Sequence, residues 1–141
     1  MLLSSDLSME CMGIFMGVEI RCEENKLFAY ITGELDHHTA KEIRCEIDTA
    51  AEREQPRELV LDFSGVTFMD SSGIGLVMGR YKLMSAVEGK VFIQNPPPPI
   101  RRVMQIAGIS RLAKIIDAPL RAAHTSEKLE SNTIAGNGGT E

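Results

Sequence analysis

The chain has no tryptophan, two tyrosines and three cysteines among its 141 residues, and no stretch of it approaches the roughly 18 consecutive apolar residues that cross a bilayer. Each scarcity removes a class of function. Cys11, Cys22 and Cys45 cannot all pair within one chain, and none stands in a Cys-x-x-Cys spacing, so they read as reduced thiols rather than a disulfide frame, a zinc cluster or a redox pair. The formal net charge is −5 and the basic residues do not cluster beyond Arg101-Arg102, which denies nucleic acid the basic stripe that phosphate neutralisation needs. The N-terminus lacks the basic lead and apolar run of a signal peptide; with no membrane span either, the expectation is a cytoplasmic protein. Histidine is sparse as well: His37 and His38 are adjacent, His124 is far away, and no third ligand is evident, so no metal and no cofactor is expected.

What is present is enough apolar residue, 43%, to build one core. Residues 1–12 show no periodicity and read as an N-terminal extension to a domain over 13–129, while 130–141 is Ser/Asn/Gly/Thr-rich and expected to be a disordered tail. Ile14 to Arg21 and Lys26 to Thr32 read as strands of an antiparallel hairpin around Cys22-Glu23-Glu24-Asn25. Gly33-Glu34-Leu35-Asp36 breaks the second strand, and Ala40, Ile43, Ile47, Ala50 and Ala51 then share one face of a helix. Its start is marked either by a Thr39-x-x-Glu42 capping box or by Asp36 as the cap.

Leu59-Val60-Leu61-Asp62-Phe63 is nearly continuous in apolar residues, the pattern of a central strand covered on both faces. A second helix is expected from about Ser72 to Ala86, with Ile74, Val77, Met78, Tyr81 and Met84 inward and Gly75 and Gly79 forming a close-packing flank. Val91-Phe92-Ile93 gives another strand, and Pro96 to Pro99 a stiff extended connection. A short helix then carries Ile100, Val103, Met104 and Ala107 and ends at Gly108; Ala113 to Ile116 forms a last strand, and Pro119 opens a fourth helix. Strands alternating with helices after a hairpin predict an α/β fold with a mixed, mostly parallel sheet and about four helices. In such a sheet Gly33–His38, Thr67–Ser72 and Asn95–Pro99 are expected along one rim.

Chemistry concentrates at Phe68-Met69-Asp70-Ser71-Ser72-Gly73-Ile74-Gly75, where two hydroxyls stand between a buried strand and a helix start. There the first backbone N–H groups lack partners and the dipole is positive, so Asp70 or Ser71 can cap the helix, and a serine can equally carry a phosphate. A serine hydrolase is disfavoured, since no Gly-x-Ser-x-Gly elbow is present, and a phosphate loop of the Gly-x-x-x-x-Gly-Lys-Ser/Thr type is missing. Gly73 and Gly75 suit either close approach by a partner or packing on the sheet. Arg80 falls off the expected inward stripe and reads as an exposed charge.

The segment Phe68–Gly75 resembles the phosphorylation site of the STAS family of anti-sigma factor antagonists, and Gly33-Glu34-Leu35-Asp36-His37-His38-Thr39-Ala40 and Gly79-Arg80-Tyr81-Lys82 narrow the match, which runs from about Met12 to Ile116. The resemblance implies a single STAS domain and no enzyme activity of its own. It implies Ser71 as phosphate acceptor, with Ser72 the unmodified neighbour, and Asp36, Asp70, Ser72, Gly73, Gly75 and Arg80 as partner-binding residues. The implied partners are an anti-sigma factor that is also a serine kinase, which the unmodified protein binds so that the sigma factor is freed, and a phosphatase that resets Ser71. The His37-His38 loop favours the sporulation, sigma-F circuit; the alternatives are a stress-response sigma circuit or a STAS nucleotide-binding or signalling module.

Overall fold

The computed structural model describes residues 14–15 and 17–119. Strand β1 (Ile14–Phe15) is turned back onto β2 (Val18–Glu23) at Gly17, whose φ of 86° lies in the left-handed region, so the single strand expected over 14–21 is two. Glu24 and Asn25 both take positive φ, 44° and 70°, as a type I′ turn requires, and fold β2 against β3 (Lys26–Leu35) with Glu23 opposite Lys26. After α1 (His37–Glu54) come β4 (Glu58–Met69), α2 (Ser71–Ala86), β5 (Lys90–Gln94), α3 (Pro98–Ile106), a 3-10 turn at Ile109–Arg111 and β6 (Lys114–Ile116). The sheet order is β1-β2-β3-β4-β5-β6, antiparallel as far as β3 and parallel from there on. This is the mixed, mostly parallel α/β architecture that the sequence predicts. Three α-helices lie among the described residues; the extension over 1–12, the tail over 130–141 and the helix expected from Pro119 onward fall on residues outside them.

One core lies between the helices and one sheet face. Leu27, Ala29 and Ile31 of β3 and Leu59, Leu61 and Phe63 of β4 meet Ala40, Ile43, Ile47 and Ala50 of α1, as the helix periodicity predicts. Phe63 is fully buried; at roughly 25 cal/mol per Å² of apolar surface, a side chain of this kind stabilises by about 1.5–3 kcal/mol. Val60 and Asp62 alternate onto the opposite face, and both are buried. The Asp62 carboxylate is satisfied there by the Ser64 N–H and hydroxyl, at 2.9 and 2.6 Å, and by Gln94 Nε2 at 2.8 Å.

Three local expectations are corrected. Strand β3 does not break at Gly33 but continues to Leu35 through register shifts at Tyr30/Thr32 and Gly33/Glu34, because parallel pairing with the longer β4 carries it on. On α2, Val77 and Met84 are buried and Ile74 and Tyr81 partly buried against the core as expected, but Met78 faces out, and Gly73, Leu76 and Arg80 complete the buried face. Pro98 and Pro99 are not part of an extended connection; they occupy the first turn of α3, where a missing N–H costs no helical bond. Along that helix Ile100 and Met104 are buried whereas Val103 is exposed.

The expected rim also divides. Leu35 pairs with Met69, so the turns at Asp36 and Asp70 are neighbours, but Gln94 pairs with Asp62, well short of Met69. The Asn95–Pro97 connection is therefore set back along β4 from the tip that carries Ser71.

Candidate functional site

Two helices begin side by side at this tip, each capped by an aspartate. Asp36 Oδ1 accepts from the His38 and Thr39 N–H groups at 3.0 Å each, while Thr39 Oγ1 accepts from the Asp36 N–H at 2.9 Å and donates to the Glu34 carbonyl at 2.8 Å. Of the two starts left open by the sequence, Asp36 is the cap, and Thr39 is the third helical residue answering it. The Thr39 N–H bond, opposed by slight desolvation and aided by the Thr39 hydroxyl and the His38 N–H, holds the Asp36 carboxyl below its ordinary range. His37 and His38 are exposed, with their rings edge to face 5.6 Å apart.

Asp70 caps α2 in the same way, its Oδ1 accepting from the Ser72 N–H at 2.8 Å. Its own N–H donates to the Leu35 carbonyl at 3.2 Å, tying the two helix starts together. Ser71 is thus relieved of capping. It is the first helical residue, exposed, and its hydroxyl has no hydrogen-bond partner among the described residues. Ser72 beside it is only partly exposed.

The surroundings of Ser71 are flat on one side. Gly75 lies one turn further along α2, exposed, and a Cβ there would meet nothing within 4 Å; the same holds at Gly79, so the close-packing flank expected of these glycines is not formed. Phe68, three residues before Ser71 and 51% exposed, and Met78, two turns along α2 and 37% exposed, are exposed apolar side chains at this end of the chain's second helix. Met78 is among the residues expected inward and Phe68 carries no assigned role in the sequence reading; Phe68 is detectable as a large apolar residue following the polar Thr67 at the end of a strand that no longer has a partner on its β5 side.

Two of the residues assigned to the partner face are instead buried. Gly73 sits where a Cβ would come within 2.2 Å of Met69 Cγ and 3.1 Å of Leu35 Cδ2, so its place is in the packing between α2 and the strand ends. Arg80 is 5% exposed, with Nε 3.0 Å from Asp48 Oδ1 on α1. Despite that closeness, neither atom has a hydrogen-bond partner of acceptable direction, and Arg80 Nη1 is also unpaired, so the tie is one of charge rather than an aligned bond. Burial raises the Asp48 carboxyl above its ordinary range against the pull of Arg80, and burial lowers the Arg80 guanidinium, which remains cationic at neutral pH. The expectation that Arg80 is exposed fails because it stands three residues after Val77 and four before Met84, on the helix face that meets α1.

Among the described residues no group of His, Cys, Asp or Glu is arranged to hold a metal ion, and no helix is long and apolar enough to cross a membrane. The site offers an exposed nucleophilic hydroxyl at a helix start, with no general base hydrogen-bonded to it among the described residues.

The chain belongs to the STAS domain family, whose model matches residues 18–123. Within that family its similarity runs to the anti-sigma factor antagonists. An anti-sigma F factor antagonist from Paenibacillus polymyxa is 35% identical over 109 residues, 76% of this chain and 93% of the relative. An anti-sigma-B factor antagonist from Bacillus subtilis (strain 168) is 27% identical over 100 residues, 71% of this chain and 90% of the relative. The solved structure of the anti-sigma factor antagonist SpoIIAA in its unphosphorylated form superposes with a TM-score of 0.65 at 33% identity, covering 76% of this chain and 92% of that one. The phosphorylated form of SpoIIAA superposes at 0.61, covering 76% and 96%.

Proposed function

We propose that this protein is a cytoplasmic anti-sigma factor antagonist that binds an anti-sigma factor with serine kinase activity, thereby freeing the sigma factor, and that phosphorylation of Ser71 ends the complex. The observation that carries the reading is the division of labour at the start of α2: Asp70 does the capping, and the Ser71 hydroxyl is left exposed and uncommitted. The likeness to SpoIIAA, whose solved forms differ by phosphorylation, supports it. The higher identity to the anti-sigma F than to the anti-sigma-B antagonist favours the sporulation circuit over a stress-response one.

In the transfer, Ser71 Oγ attacks the γ-phosphorus of ATP held by the kinase, the bond to the β-phosphate oxygen breaks, ADP leaves, and the hydroxyl proton passes to a base on the kinase. The antagonist is the substrate and not the catalyst. A phosphatase reverses the state by adding water to phosphorus, releasing inorganic phosphate and restoring the hydroxyl. The partner face consists of Asp36, Asp70, the exposed edge of Ser72 and the bare strip at Gly75, with Phe68 and Met78 supplying apolar contact. A phosphate adds roughly −1.5 to −2 charges beside Asp36 and Asp70, so an acidic or nucleotide-bearing partner surface is repelled.

Incubation with ATP and the anti-sigma kinase, followed by mass spectrometry, tests the assignment. Phosphate is expected on the peptide containing Ser71, retained in Ser72→Ala and lost in Ser71→Ala. Labelling that survives in Ser71→Ala removes the proposal.

A further inference from the structure

Helices α1 and α2 both direct their C-termini toward the end of the molecule opposite Ser71. Their last turns and the Pro56-Arg57 connection enclose a groove of about 660 Å³. Leu83 and Val87, one turn apart at the end of α2 and 51% and 68% exposed, form its apolar side, with Met84 beneath them at 5%.

Carboxylates outnumber cations along the groove. Glu52 and Glu88 line it with Arg57, and the further carboxylate, Asp48, is offset by Arg80 at 3.0 Å. Each helix C-terminus adds the negative end of its dipole, equivalent to about half a charge. Nothing basic stands in the last turn of α2, and Arg53 at the end of α1 is bonded to Glu54 at 3.0 Å. An apolar trough in a negative field is complementary to apolar side chains interleaved with Lys or Arg. A second copy of this chain is a poorer occupant than a basic helix, because it would bring a second set of the same carboxylates to the contact, which carries more acidic than basic groups.

We propose that this groove is a second docking site, for a basic amphipathic helix of a partner protein, with apolar residues against Leu83 and Val87 and cations toward Glu52, Glu88 and the two helix ends. Leu83 lies about 18 Å along α2 from Ser71 at ~1.5 Å per residue, so the groove and the Ser71 face can be occupied together. The site does not rest on the phosphorylation reading.

The test is a titration of the 15N-labelled full chain with a Lys/Leu amphipathic helical peptide and with its Glu/Leu counterpart. The Lys/Leu peptide is expected to give saturable shifts confined to the amides of Ala51, Leu83, Val87 and Glu88, unchanged in Ser71→Ala, while the Glu/Leu peptide gives none. A Glu52→Lys/Glu88→Lys variant and a Val87→Ser variant, both altered at the surface, are expected to bind roughly tenfold more weakly with unchanged thermal unfolding. Shifts spread over the whole surface or centred at Ser71, equal response to the two peptides, or the same shifts on concentrating the protein alone would each overturn the proposal, the last by making a second copy the occupant.

Discussion

Asp36 and Asp70 occupy equivalent positions, yet their neighbours give the two helix starts different chemistry: Thr39 answers Asp36 and completes a reciprocal box, whereas α2 has no such partner and leaves Ser71 open. Because the folded Asp36 carboxyl lies below its ordinary value, its contribution to stability is complete above the unfolded carboxylate range and is lost as pH falls through the folded value. An NMR titration should therefore place the Asp36 midpoint under that of an unstructured aspartate, with faster amide exchange at His38 and Thr39 on the acid side; Asp36→Asn should remove this acid-dependent part. The glycines of α2 separate just as cleanly. Gly75→Ala adds a methyl to open space in a helix and is expected to raise the unfolding free energy by about 0.5–1 kcal/mol, while weakening the anti-sigma kinase complex because the strip beside Ser71 is no longer bare. Unchanged affinity would take Gly75 off the partner face. Gly73→Ala, pressed onto Met69, should instead cost about 1–3 kcal/mol in chemical denaturation.

At the scale of elements, α2 shows where the sequence could be read and where it could not. Its start was legible because Asp-Ser-Ser after a strand is a local capping signal, and α1 was legible because Ala40, Ile43, Ile47 and Ala50 are apolar on the face they bury. The phase of α2 was not, since its buried face includes a glycine and an arginine while Met78 and Leu83 are left outside. Whether a helix faces a sheet or a neighbouring helix is decided by tertiary packing, and only the Asp48 carboxylate on α1 explains an inward Arg80. Arg80→Ala removes both the charge and a packed stem from the junction of α1 and α2, and is expected to destabilise by about 2 kcal/mol in urea denaturation. A double Asp48→Leu/Arg80→Met variant should recover part of that loss, because an apolar side chain in the buried Arg80 position avoids desolvating a cation, whereas Asp48, 36% exposed, gains less from Leu. The same ambiguity hid the end of β3: its glycine reads as a break, and only the length of the neighbouring strand keeps it paired.

At the scale of the molecule, both longer helices run with their N-termini at the Ser71 tip and their C-termini at the groove, so the protein is electrically polarised along its length. A phosphate on Ser71 arrives at the end that favours an anion, and the caps it joins are already made. The expected result is a change of surface charge without a change of fold. Backbone chemical shifts of the phosphorylated chain should move in the first turn of α2 and the adjoining turn at Asp36 and stay put through β4 and β5; movement across the sheet would require a different mechanism of release.

The unequal strand lengths carry one more consequence. Because β3 and β4 outrun β5, the end that carries Ser71 projects past the β5 edge of the sheet like a jetty from a shoreline. A flat counterpart laid on such a projection would touch little of it. A concave counterpart would reach more of it, an advantage set by strand length rather than by any single side chain.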